Sequence, residues 1–140
     1  MTSNFSDVAA STFTGNLSGN VTGNLTGTVD GGLLETCLPA TADAAIAIPA
    51  SSRTIAITKA GVCALTLADP TAGTHNGLRL TIIATTAHAH TVSNAAGSGF
   101  NGAGAAGDVA TFGGAIGDNM VVEAYQGKWY AVSLRNVTLG

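Results

Sequence analysis

Gly77-Leu78-Arg79-Leu80-Thr81-Ile82-Ile83-Ala84 reads as a β-strand. Leu78, Leu80 and Ile82 fall on one side of an extended chain, and Arg79 and Thr81 on the other. The same alternation recurs on both sides of it. Upstream lie Ala45-Ile46-Ala47-Ile48, which stops at Pro49, Arg53 to Thr58 with Ile55 and Ile57 on one face, and Val62 to Leu67, in which Ala64-Leu65-Thr66-Leu67 alternates. Downstream, Thr86 to Val92, Asp108 to Phe112, Asn119 to Tyr125 and Lys128 to Leu134 continue it. In the last strand Trp129, Ala131 and Ser133 are expected on one face, and Tyr130, Val132 and Leu134 on the other. Turn clusters separate these runs: Ala68-Asp69-Pro70-Thr71-Ala72-Gly73 and Gln126-Gly127. Ala95 to Gly107 reads as a glycine-rich loop, and Gly102 to Gly107 within it as a mobile or interface-filling segment. No window repeats apolar residues at helical spacing over two turns. Short strands at roughly 8–12-residue spacing predict an all-β domain over 36–140, an antiparallel β-sandwich or barrel of jelly-roll-like type.

Before this domain, residues 1–35 form a different region. From Thr14 to Leu33 a tetrapeptide repeats, as in Thr14-Gly15-Asn16-Leu17, Ser18-Gly19-Asn20-Val21 and Thr22-Gly23-Asn24-Leu25. Glycine in every unit opposes a helix. In an extended chain Leu17, Val21, Leu25, Val29 and Leu33 share one face with the glycines, and the polar residues take the other. Such a strand buries too little alone to offset the entropy of ordering it. Alternating bulk and void suits interlocking with other chains, so these five positions are candidate trimer or capsid contacts. The competing reading is a flexible tether, which has no need of regular aliphatic residues. Phe5 and Phe13 are candidate anchors on a partner, or parts of a frayed tail.

Composition points the same way. Charged residues are 9% of the chain, against about a quarter in an average domain. A weakly charged exterior suits a protein that covers itself with copies or a partner. The formal net charge is −3, with Lys59, Lys128, Arg53, Arg79 and Arg135 scattered, so direct nucleic-acid binding lacks an electrostatic basis. Met1 to Ala10 carry neither a basic nor an apolar signal region, and no apolar run reaches the roughly 20 residues needed to span a bilayer. The expectation is a soluble product of the cytoplasm, without membrane partners. Cys37 and Cys63 sit among apolar neighbours and read as two buried small hydrophobes.

Candidate chemistry is sparse. His88-Ala89-His90, if in a strand, points both imidazoles to one face, and copies meeting there offer nitrogens for a metal. One chain supplies too few ligands for the usual sites, so a polar face beside Thr86 and Thr91 is the plainer reading. His75 lies in a turn. There is no nucleophile elbow. Gly102 to Gly107 lacks the following helix of a dinucleotide loop. No catalytic residue and no cofactor is expected.

The Thr-Gly-Asn-Leu and Ser-Gly-Asn-Val units resemble repeats of trimeric phage fibre, tail-spike and head-fibre proteins. Asn76 to Ile83, His88-Ala89-His90 and Gly127-Lys128-Trp129-Tyr130-Ala131-Val132 are similar to small phage virion proteins of the capsid decoration (cement) type. The resemblance covers most of the chain. It implies a homotrimer on the capsid surface of the virion, with the major capsid protein as partner, made in the host cytoplasm. His-x-His in trimeric phage fibres binds iron, which the resemblance extends to His88 and His90. The chain is short for a receptor-binding fibre, which favours the cement role over a tail or head fibre with host-adhesion function. A small cupin-like metalloenzyme using His75, His88 and His90, and a free cytosolic β-protein, are the remaining alternatives.

Overall fold

The computed structural model describes residues 37–49 and 53–140. The described chain forms β1 (Cys37–Ala40), β2 (Ala44–Ile46), β3 (Arg53–Ile57), β4 (Ala64–Leu67), β5 (Arg79–Ala84), β6 (Thr91–Asn94), β7 (Val109–Phe112), β8 (Asn119–Tyr125), β9 (Lys128–Arg135) and β10 (Val137–Leu139). They build two 5-stranded sheets, ordered β1-β3-β5-β8-β9 (sheet A) and β10-β7-β6-β4-β2 (sheet B). The sandwich expectation holds, and the antiparallel expectation is corrected: both sheets are mixed, and neither closes into a barrel. β1, β3 and β5 run parallel, as do β2, β4 and β6. β8 and β9 in sheet A, and β7 and β10 in sheet B, add antiparallel.

Up to β6 the chain therefore winds as a flattened coil, each turn giving one strand to each sheet. The second and third turns are in step: Lys59 and Thr86, bonded across the corner, are 27 residues apart. A faint internal repeat follows that step. Thr54-Ile55 with Thr58 and Ala60 recurs as Thr81-Ile82 with Thr85 and Ala87. Its threonines serve one purpose. The Thr58 N–H donates to the Ala40 carbonyl at 2.9 Å, and the Thr85 N–H to that of Ile57 at 3.0 Å. The hydroxyl of Thr85 donates to that same Ile57 oxygen at 2.7 Å. Each threonine thus extends the parallel ladder by one rung where the chain leaves sheet A.

The alternation seen in the sequence becomes the core. Ile55, Ile57, Leu80, Ile82, Met120, Val122 and Trp129 from sheet A pack against Leu65, Leu67, Val92, Ala110 and Phe112 from sheet B. Trp129 is fully buried, and its indole N–H donates to the Ala68 carbonyl at 2.9 Å. Indole burial requires such a partner.

The glycine-rich stretch packs against the core at Phe100. It folds into short 3-10 turns at Phe100–Gly102 and Gly104–Gly107, and Phe100 enters the core with no exposed surface. Gly99 has φ +68, and a Cβ there would strike the Gly104 backbone, so only glycine fits. The β8–β9 hairpin turns at Gln126 (φ 47) and Gly127 (φ 77), the pair of positive angles that a two-residue turn between twisted strands requires. In β9 the expected alternation breaks. Val121 pairs with Ser133 and Val122 with Ala131, which leaves Val132 as a bulge. Beyond it Leu134 lies opposite the buried Met120, and Ser133 turns outward with Val121.

Candidate functional site

The histidines are not on a strand. His88 and His90 lie in the connection between β5 and β6, which corrects the strand placement of Thr86 to His90. His90 is fully buried, and both ring nitrogens are engaged. Its Nδ1 accepts the Cys63 backbone N–H at 3.0 Å. That places the ring proton on Nε2, which lies 3.1 Å from Thr86 Oγ1. The Thr86 hydroxyl in turn donates to the Lys59 carbonyl at 2.8 Å. Backbone, imidazole and hydroxyl thus brace two successive corners of the coil. The rings of His88 and His90 stand 6.0 Å apart, edge to face. His75 is in its expected turn, its Nδ1 accepting the Thr71 N–H at 2.8 Å. Among the described residues no three His, Cys, Asp or Glu side chains gather as a metal site.

The other polar groups also serve as braces. Asp43 accepts from Lys59 Nζ at 2.6 Å and from the Ala64 N–H at 2.8 Å. The Lys59 ammonium and that amide hold its carboxyl below the usual range. Asp118 accepts the Asn136 amide at 2.9 Å and the Ala115 N–H at 2.8 Å, and its pKa is lowered by the same two donors, Asn136 foremost. Asn94 donates to Asp69 at 2.6 Å and accepts the Ser98 N–H at 3.1 Å, which ties down the glycine-rich stretch. The two cysteines are free and unlike each other. Cys63 is buried, which pushes its thiol pKa up, whereas Cys37 is exposed, contrary to the expectation of burial.

Two surfaces remain apolar. One is a groove of about 440 Å³ at the first turn of the coil, lined by Leu38, Ala40, Ile46, Ile48, Ile55 and Arg53 among others. It exists because β1 and β2 are the end strands of their sheets, with no further turn described beyond them. The Arg53 Nε is buried there without an acceptor. The other surface is the outer face of sheet A. Tyr125 is 58% exposed, Val132 52% and Tyr130 38%. With Glu123 they line a hollow of about 320 Å³. Ile83 and Val121 extend the face, half-buried. It also carries charge: Arg79 donates to Glu123 at 2.8 Å, directly across the β5–β8 pair, and the exposed Lys128 lies opposite Tyr125.

The sequence-derived contact candidates Phe5, Phe13, Leu17, Val21, Leu25, Val29 and Leu33 lie outside the described residues. Sequence reasoning did not name the sheet A face as a contact surface. Its signal was present in β9, where residues on both sides of the strand are apolar, and a strand at the end of its sheet buries only one side.

No protein-family model matches the chain, and no curated protein matches it significantly.

Proposed function

We propose that this chain is a non-enzymatic structural protein of a phage particle, a capsid decoration protein that binds the assembled head as a homotrimer. The observation that carries the reading is the outer face of sheet A. A domain with so few charges leaves tyrosine and valine exposed side by side there. Apolar surface of this kind is the mark of an interaction site. The polar clusters support the same reading from another side, because His90, Asp43 and Asp118 accept hydrogen bonds from the backbone N–H groups of Cys63, Ala64 and Ala115. The sequence resemblance supplies the phage context and the threefold symmetry.

The mechanism is mass action. A trimer that binds only the assembled shell stabilises that shell over every other state. Shallow contacts, each weak, are multiplied by simultaneous engagement of three copies.

The test is the location and stoichiometry of the protein in purified particles, with the mass of the free full chain measured alongside. A decoration protein is found in many copies over the head and sediments as a trimer. A few copies confined to the tail would replace this reading with a fibre. Absence from particles would end both.

A further inference from the structure

We infer that the apolar groove at the first turn of the coil receives residues 14–33 of a neighbouring copy, laid in as one more strand. The inference rests on the homotrimer proposed above and names the contact that links its copies.

The groove is a piece of core left uncovered. Leu38 in β1 stands opposite Ile55 in β3, and Ala44 in β2 stands opposite Leu65 in β4. Both therefore hold the inward register. Ile55 and Leu65 are 3% and 1% exposed, whereas Leu38 is 39% exposed and Ala44 is exposed as well. The difference lies in position. β3 and β4 have a neighbour on each side, and β1 and β2 have one on a single side among the described residues. The outer edges of β1 and β2 can take the backbone hydrogen bonds of an added strand, while the apolar floor takes its side chains.

The groove also asks for an acceptor. Arg53 is the one charged residue among those that line it. It stands in inward register opposite Leu80, and its Nε is buried without an acceptor among the described residues. An added strand brings carbonyl oxygens to such a donor. Asp43, in the turn between β1 and β2, is already held by Lys59. Residues 14–33 fit what is asked. Leu17, Val21, Leu25, Val29 and Leu33 supply aliphatic groups at even spacing, and the glycines between them let the backbone come close. The one charge in that segment is Asp30, opposite in sign to Arg53.

Length puts a neighbour within reach. Residues 14–33, if extended, span about 65 Å, against a radius of gyration of about 13 Å for a domain of this size. An arm of one copy in the groove of the next joins two different surfaces. Such a contact repeats from copy to copy until it closes as a ring. In a trimer each copy gives one arm and receives one.

The experiment uses the full chain and sedimentation. Leu38→Asp spoils the groove, with Ala44→Asp in its place should circular dichroism show the first to be unfolded. Val21→Asp with Leu25→Asp spoils the arm and changes no residue of the two sheets. Each protein alone is expected to sediment as the single 13.7 kDa chain. A mixture of groove variant and arm variant is expected to form pairs of twice that mass, because one intact arm and one intact groove remain between them. A mixture that stays as single chains overturns the inference. So does either folded variant that assembles like the parent. An arm variant that assembles normally but melts at lower temperature overturns it by placing each arm in its own groove. These results leave the trimer standing. A parent chain that sediments as a monomer removes the trimer and the inference together.

Discussion

Sheets A and B are alike inside and unlike outside. Both take alternate strands from the same winding chain, and both turn isoleucine, leucine, valine and a large aromatic inward, Trp129 in A and Phe112 in B. Outside, sheet B is a field of threonine and serine, whereas sheet A exposes Tyr125, Tyr130 and Val132. Core packing constrains only the inward half of each strand. The outward half is free to vary, and in sheet A it leaves tyrosine and valine exposed.

The largest effects test the likeness. Trp129→Ala and Phe112→Ala are each expected to lower stability by about 3–5 kcal/mol, as truncation of a buried aromatic does. Denaturant midpoints measure this. A large loss from one and little from the other would show that the sheets do not share one cooperative core.

Next comes the corner brace. His90→Ala removes the acceptor of the Cys63 N–H and the partner of the Thr86 hydroxyl. Leaving a buried donor unpaired costs about 1–3 kcal/mol. Hydrogen exchange is expected to quicken at Cys63 and in β4 and β6 ahead of sheet A. Uniform quickening would mean that the corner does not hold sheet B in particular.

The third test sits where the chain crosses from β9 to β10. Asp118, bonded to Asn136, has its folded-state pKa lowered. Its contribution is full above the unfolded value, about pH 4, and is lost as pH falls through the lower folded value. Thermal melts of Asp118→Asn are expected to show less acid-dependent loss than the parent between pH 4 and strongly acidic solution. An identical pH profile in both proteins would dismiss the role.

The smallest effect is expected on the outer face of sheet B. Thr111→Val keeps shape at an exposed position, and stability is expected to stay within about 0.5 kcal/mol. If that change promotes assembly instead, the outer face of sheet B is as ready to associate as that of sheet A, and the contrast fails.

Much of this was legible beforehand. Asn119 to Tyr125 is a strand with the bounds that alternation gives, Val62 to Leu67 is one from Ala64 on, and the hairpin turns at Gln126-Gly127 as its residues direct. Three features were not legible. The Val132 bulge moves Ser133 and Leu134 to the sides opposite those expected, because one extra residue inverts every later position. His90 looked like a ligand because sequence carries no burial, and its partners Cys63 and Lys59 belong to the preceding turn of the coil. The apolar face became a candidate site only when β8 and β9 were seen side by side, with Tyr130 against Glu123.

The amino-acid order alone determined that the domain is β, which residues of the regularly alternating strands turn inward, where the chain must bend, and that it is poor in charge. Those are local matters: a period of two and the preferences of glycine and proline settle them within a few residues. Only the tertiary structure decided which strands are neighbours and in which direction they run. A period of two reads the same from either end, so it assigns a side chain to a face without assigning its strand a partner. The partner of β3 is β5 rather than β4 because a whole turn through the other sheet lies between them. That choice belongs to the packing of the two sheets on one core.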